Sequence, residues 1–322
     1  RELFAVRPDP ADMLHGLSQA GRPLLVRYDL PKLAQAVSRE ELRNRPADIW
    51  RYREFLPVRK TENIVSLGEV LTPLISLPTL AAGRGALYSK DEGRLPTASF
   101  KARGLCLAVS MAKELGVRRV AIPTNGNAGA ALAAYAARAG IETFVFCPAD
   151  TPEVNVREIG AQGAKVWRVN GLINDCGRIV GQGKEAMGWF DISTLKEPYR
   201  IEGKKTLAFE IAEQMDWRLP DTVVFPTGGG QAVLALYKGF AELRELGWVS
   251  DPDPQLVITQ YTGCAPIAKA YVEGRDDCEP WGRVDILPGG MKSPNPISGA
   301  AVLELILRTH GCAITVSNDE AL

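Results

Sequence analysis

Past residue 72 the chain settles into a rhythm of short apolar runs, each followed by a longer stretch with apolar residues at helical spacing. The pattern predicts strands over 86–89, 119–123, 143–147, 165–169, 222–225, 256–260 and 313–316. Between them it predicts helices over 100–115, 128–139, 174–187, 204–215, 231–246 and 302–308. Apolar strands alternating with amphipathic helices build open, mostly parallel twisted sheets covered by helices on both faces. The expected fold class is α/β with two such sheets. Residues 1–57 break the rhythm: they are charged and contain proline, with one strand-like run over 24–28 and short helical patterns over 31–37 and 49–55. They are expected to form an extension that packs on a larger body. In folds of this kind ligands sit beyond the carboxyl ends of strands, so the strand-to-helix turns are where chemistry is sought.

Composition narrows the chemistry. With 322 residues, 46% of them hydrophobic, the chain has material for about two domains with sizeable cores. Lys+Arg 38 balances Asp+Glu 38, so no global field draws nucleic acid. No apolar run approaches the roughly 18 residues of a membrane helix, and a soluble, cytoplasmic protein is expected. Six cysteines, Cys106, Cys147, Cys176, Cys264, Cys278 and Cys312, form no CxxC pair and are expected to be reduced thiols without a metal. The two histidines, His15 and His310, stand in segments without motif character, which leaves little for a histidine base or a histidine metal cage. The sequence opens on Arg1 with no apolar leader, and is expected to be shortened at one or both ends.

Three turns hold residues suited to chemistry. In Pro96-Thr97-Ala98-Ser99-Phe100-Lys101, the lysine falls in the first turn of a helix, where the positive end of the helix dipole favours the neutral amine. A neutral amine is the nucleophile in lysine–carbonyl chemistry. The plainer alternative is a solvated charge near a helix start. In Thr124-Asn125-Gly126-Asn127, donors converge on a helix N-terminus, which suits a carboxylate or phenolate oxygen or, more simply, a helix cap. In Thr227-Gly228-Gly229-Gly230-Gln231, three glycines let backbone N–H groups wrap an anion at a helix start. Neither a Walker lysine nor a GxGxxG fingerprint is present, because Val233 stands where the third glycine belongs; a single phosphate is favoured over a dinucleotide.

A lysine nucleophile, an oxygen-binding loop and a phosphate cup on one α/β scaffold describe a site for pyridoxal 5'-phosphate. With these motifs in this order, the sequence resembles threonine synthase-type enzymes of the tryptophan synthase β family, the fold-type II pyridoxal phosphate enzymes. The similarity extends over 22–30, 68–74, 197–206 and 261–268. The resemblance implies that Lys101 holds the cofactor covalently and moves protons at Cα and Cβ. It implies that Asn127 bonds the cofactor's 3' oxygen, and that Thr227, Gly228, Gly229, Gly230 and Gln231 bind its phosphate. Thr124, Asn125 and Gly126 would grip the carboxylate of a small amino-acid substrate. A second anion site would draw on Arg103 and Lys204, with Arg200 and Lys205 of suitable type. The implied architecture has a small domain over 87–185 with the asparagine loop. A large domain over 58–86 and 186–322 holds the glycine loop, 1–57 packs on it, and the assembly is a homodimer. The implied reaction is the conversion of O-phosphohomoserine and water to threonine and phosphate, in threonine biosynthesis.

The sequence departs from the family pattern at several of these positions. Ala98 stands for a glycine, Ala128 for a threonine, Glu197 for an asparagine, and Gln231 follows the glycines where threonine is common. Ala128 and Glu197 remove two phosphate partners, and Glu197 would repel an anion that it faced. Residues 1–22 lack the paired cysteines of many relatives, so no N-terminal zinc site is expected. The family's hydroxyl partner for the pyridine nitrogen lies in a C-terminal segment and is assigned to no residue here. Two alternatives stay open: a β-eliminating or β-replacing relative acting on serine, threonine, diaminopropionate or phosphoserine, and a non-catalytic homologue that binds a small ligand or partner.

Overall fold

A computed structural model describes residues 10–286 and 289–321. The expected extension therefore has residues 1–9 outside the described part. Helices α1 (Leu30–Ala36) and α2 (Arg39–Arg43) come first, each started by a side chain, Asp29 or Ser38, that accepts a first-turn N–H. An antiparallel ribbon follows, β1 (Leu74–Ser76) and β2 (Tyr88–Lys90), with the short α3 (Pro78–Ala81) between them. Then come α4 (Lys101–Glu114), β3 (Arg119–Pro123), α5 (Asn127–Ala139), β4 (Glu142–Pro148), α6 (Glu153–Ala161), β5 (Lys165–Val169), α7 (Ile173–Met187) and β6 (Phe190–Asp191). The chain continues through α8 (Tyr199–Gln214), β7 (Thr222–Pro226), α9 (Gln231–Glu245), β8 (Gln255–Tyr261), α10 (Pro266–Val272), α11 (Gly299–Arg308) and β9 (Cys312–Val316).

Two parallel sheets result. The first has the order β5-β4-β3-β6 and the second β7-β8-β9. The first sheet takes its edge strand from Phe190–Asp191, past the 87–185 expected for the small domain. The expected strand over 24–28 does not form; those residues run extended without a ladder. Their apolar side chains are used differently. Leu25 and Tyr28 pack on the core to which α8 and α9 contribute, and the Tyr28 hydroxyl donates to Glu202 of α8 at 2.8 Å.

The elements around the two sheets meet at a crossing of α4 and α8. A Cβ on Gly203 would lie 1.9 Å from the Arg103 carbonyl oxygen, and one on Gly104 would lie 3.0 Å from that of Arg200. Only hydrogen at these positions lets the helix backbones touch. Helix α8 is buried along Tyr199–Ala212, although this stretch includes Arg200, Glu202, Lys204, Lys205 and Glu210. Its polar side chains defeat the amphipathic signal, which is why the pattern predicts a start at 204 and the helix begins at 199. The close crossing brings the first turn of α4 against the first turn of α8, at the end of the sheets where β3 and β7 lead into α5 and α9.

Candidate active site

Lys101 opens α4 directly after a strained turn. Thr97 and Ala98 both adopt positive φ, 62° and 48°, and the buried Thr97 hydroxyl has no hydrogen-bond partner among the described residues. Left-handed backbone costs a residue with a Cβ roughly 1 kcal/mol, and such strain clusters at functional sites. Ala98 thus occupies the conformation that glycine tolerates best. The Lys101 Nζ sits 3.6 Å from the centre of the Phe100 ring. Burial, and after it the nearby Arg200 guanidinium, pulls the ammonium down to about 7. The shift runs in the expected direction, but the causes are burial and a like charge where the sequence suggested the helix dipole.

Helix α8 supplies the other cations. Arg200 is buried, and among the described residues its hydrogen bonds come from Nη1, to the Ile192 carbonyl at 2.9 Å and Thr194 Oγ1 at 3.4 Å. Its buried Nε has no partner. Lys204, one helical turn on, donates to Gln231 Oε1 at 2.6 Å, and its Nζ lies 5.3 Å from the same Phe100 ring. Burial, then Arg200 and Lys101, hold Lys204 well below the usual lysine range. Glu197 is a nearby carboxyl, and it is not among the residues that line the cleft. Its Oε2 accepts the N–H groups of Tyr199 at 2.7 Å and Arg200 at 3.0 Å, at the start of α8. Burial pushes Glu197 up to about 7 against the pull of Arg200 and those N–H groups.

The asparagine loop connects β3 to α5. Thr124 Oγ1 accepts from the Gly126 N–H at 3.0 Å and the Gly129 N–H at 2.9 Å, so its hydroxyl shapes the turn. Asn125 Nδ2 donates to the Lys292 carbonyl at 2.8 Å, and Lys292 Nζ pairs with Asp150. Asn127 lies at the mouth, with Asn155 Nδ2 3.4 Å from its Oδ1. Thr124, Asn125 and Asn127 line the cleft; Gly126, expected with them, does not, and a Cβ there would lie 2.7 Å from Asn155 Oδ1.

The glycine loop connects β7 to α9. Gln260 Nε2 donates to the Thr227 and Gly228 carbonyls at 3.2 and 3.5 Å, and Ser298 Oγ donates to the Gly229 carbonyl. A trans peptide points its N–H opposite its C=O. With three carbonyls held from behind, the following N–H groups turn toward the cleft, beside the first-turn N–H groups of α9 that lack intrahelical acceptors. Gly230 takes φ +81°, and a Cβ there would lie 2.4 Å from Val302 Cγ2. Thr227 donates its hydroxyl to the Phe225 carbonyl at 2.8 Å, so its side chain braces the loop.

Arg103, expected as a substrate contact, is placed elsewhere. Its guanidinium is fully buried behind the crossing and bonded to Glu92 Oε2 at 2.6 Å, Glu210 Oε1 at 2.7 Å and Thr206 Oγ1 at 3.0 Å. Burial disfavours its charge, but Glu210 and Glu92 more than offset this and hold it raised. Lys205 is likewise internal, between Glu202 and Glu242 at 2.7 Å each. The sequence contained a signal for Arg103: residues two apart on a helix point about 200° apart, so Lys101 and Arg103 cannot face one cleft.

The lysine turn, both loops and the α8 cations line one cleft of about 980 Å³. Its volume suits a cofactor with a substrate. Two further walls were not anticipated: the face of α7 with Asn174, Gly177, Arg178, Gly181 and Gln182, and the Gly/Pro-rich segment holding Met291, Lys292, Ser293 and Asn295. The donor set fits pyridoxal 5'-phosphate. A half-neutral lysine is available for its carbonyl carbon, and N–H groups with Lys204 and the buried, unpartnered Gln231 Nε2 are available for its phosphate. Among the described residues no group of His, Cys, Asp and Glu is arranged to hold a metal, and no helix is long and apolar enough to cross a membrane.

Similarity to known proteins agrees with this geometry. Residues 65–322 match the family described as pyridoxal-phosphate dependent enzyme. Threonine synthase from Methanocaldococcus jannaschii is 35% identical over 305 residues, covering 94% of this chain and 75% of that protein. Threonine synthase from Methanosarcina acetivorans is 34% identical over 314 residues, 97% and 76% of the two chains. Among solved structures, the processed form of threonine deaminase isoform 2 from Solanum lycopersicum superposes with TM-score 0.65 at 21% identity, over 86% of this chain and 78% of that one. Maize serine racemase gives TM-score 0.65 at 21% identity, over 77% and 72%. These two likenesses speak for the fold alone, that of fold-type II pyridoxal phosphate enzymes. The chain belongs to the pyridoxal-phosphate dependent enzyme family, as a threonine synthase-like lyase.

Proposed function

We propose that the enzyme converts O-phosphohomoserine and water to threonine and inorganic phosphate. The observation behind this reading is the excess of buried positive charge in the cleft. Lys101, Arg200 and Lys204 converge there; of the carboxyls that act on Arg200, Glu197 turns to the α8 backbone and Asp191 is shared with Lys184 and Lys196. Such a site asks for an anionic ligand set larger than one carboxylate. The threonine synthases that resemble this chain add the direction of the chemistry.

When bound, pyridoxal 5'-phosphate supplies an electron sink for negative charge at the substrate carbons. Lys101 would hold it covalently, and the Lys101 Nζ, titrating near 7, takes up and returns protons at Cα and Cβ. Asn127, at the mouth of the cleft, would bond the cofactor's ring oxygen, and the Gly228–Gly230 N–H groups would cradle its phosphate. Asn125 Nδ2 and the N–H groups opening α5 bind the substrate carboxylate, while Thr124 keeps the turn in shape. Arg200, with Nε unpaired, receives the substrate's distal phosphate. Asn125 and the Lys292–Asp150 pair make ties across the mouth and help exclude water.

The apolar Ala128 at the opening of α5 favours a second reading, a β-eliminating enzyme acting on serine, threonine, diaminopropionate or phosphoserine. Incubation of cofactor-loaded protein with O-phosphohomoserine separates the two. Equal release of phosphate and threonine is the expected result. Ammonia and keto acid from non-phosphorylated amino acids, without threonine formation, would replace it with the eliminating enzyme.

A further inference from the structure

Two adjacent buried lysines on α8 are treated differently by the fold. Lys205 meets two carboxylates, Glu202 and Glu242, each at 2.7 Å. Lys204 is 4% exposed and is met by a neutral amide oxygen, Gln231 Oε1, at 2.6 Å. Its charged surroundings are Lys101 from α4, Arg200 from α8 itself and the more weakly felt Glu197 ahead of α8. An ammonium has three N–H donors, and one neutral acceptor does not offset its burial. Alone, the site favours the neutral amine; an anionic ligand beside it would restore the ammonium and pair with it.

The place of that ligand follows from Gln231. It opens α9 directly after the three glycines, is 3% exposed, and its buried Nε2 has no hydrogen-bond partner among the described residues. The amide is therefore oriented: its oxygen is held by Lys204 and its two N–H groups are left for an acceptor in the cleft. Lys204 and Gln231 line the cleft together with Gly228, Gly229 and Gly230, and the Phe100 ring near Lys204 packs edge-on against Phe225 at the end of β7. Glycine loops at helix starts bind phosphate with neutral donors; here a charged donor has been brought beside one.

We propose that Lys204, oriented by Gln231, is the charged anchor for the phosphate of pyridoxal 5'-phosphate in the Gly228–Gly230 loop, and is not a contact for the substrate's own phosphate. This rests on the proposed use of that loop for the cofactor. It also gives Gln231 a role: a threonine at that position could not reach across to hold a lysine of the neighbouring helix.

The test compares pyridoxal 5'-phosphate with pyridoxal, which lacks the phosphate. Cofactor-stripped wild type, Lys204→Met and Lys204→Gln are titrated with each compound, reading the absorbance of the lysine-bound chromophore, and each protein is melted. Both variants are expected to bind pyridoxal 5'-phosphate roughly ten- to a hundredfold more weakly, the loss of one charge-assisted hydrogen bond. Their affinity for pyridoxal stays within about twofold of wild type, and they melt no lower, since removing an uncompensated buried cation relieves the fold. Equal weakening for both compounds overturns the proposal, as does unchanged cofactor affinity with a raised KM for the phosphorylated substrate. A wild type that forms no chromophore with either compound instead defeats the underlying use of the cleft for the cofactor.

Discussion

Helices α4 and α8 bury two clusters of charge on opposite sides of one crossing, and the clusters differ in balance. Behind the crossing, Arg103 and Lys90 face Glu92 and Glu210, with Lys90 Nζ 2.8 Å from Glu210 and Thr206 completing the shell of Arg103. Around the cleft, Lys101, Arg200 and Lys204 are opposed by Glu197, which burial pushes up to about 7, and, at Arg200, by Asp191, which is shared with Lys184 and Lys196. Burial of charge is common to both and does not by itself mark a functional site. The imbalance does: a closed set of pairs serves the fold, and an excess of one sign is completed by something that binds.

The comparison breaks most visibly at Arg103. Arg103→Met leaves the buried Glu210 and the partly buried Glu92 with Lys90 as their remaining cation, and should lower stability by about 3–5 kcal/mol. A denaturant or thermal melt of the cofactor-loaded protein measures this. A variant that melts like wild type but has lost substrate binding would return Arg103 to the site.

Glu197 gives the next largest effect, and it depends on pH. Its folded value, about 7, lies above its ordinary 4.5. The folded protein thus holds a proton that the unfolded chain has released. The stability this contributes is fully present below about 4.5 and is lost as pH rises through about 7. Glu197→Gln keeps an acceptor for the Tyr199 and Arg200 N–H groups and removes the titration. Relative to wild type, the variant should gain up to about 3 kcal/mol between pH 4.5 and 8. Parallel stability curves for the two proteins over this range would place the Glu197 titration elsewhere.

The smallest effect tests the strained turn. Ala98→Gly relieves a positive φ and should stabilise the protein by about 1 kcal/mol or less, since glycine loses more freedom on folding. The midpoint of urea unfolding reads it; a lower midpoint would mean that the alanine methyl contributes packing that outweighs the strain.

Much of this was legible in the sequence because the three turns are local. Lys101, Asn125, Asn127 and the glycines each lie at the junction of a short apolar strand or turn with a helix, and parallel α/β topology collects such junctions at one end. What escaped depends on tertiary context. Leu24, Leu25 and Val26 have a strand's composition, but the segment runs extended without a ladder and Leu25 packs on the core instead. Residues 153–161 form α6 although their mixture of charge, Asn155 and Gly160 has little helical period. β6 is two residues long, too short for any alternation to register. Several partners of α8 come from segments more than a hundred residues away, as with Tyr28 and Glu202 or Arg103 and Glu210. Spacing along the chain could not separate the paired charges of that helix from the unpaired ones.

The central claim is that the cation-rich cleft around Lys101 is where pyridoxal 5'-phosphate is held. An absorbance titration of wild type and Lys101→Ala with the cofactor, repeated across pH, tests it directly. Wild type should develop the near-visible band of a lysine-bound cofactor, with a rate of capture that climbs as pH passes through about 7, where the amine becomes neutral. Lys101→Ala should show no such band at any pH. A wild type that stays colourless, or a Lys101→Ala variant that keeps the band, would contradict the account.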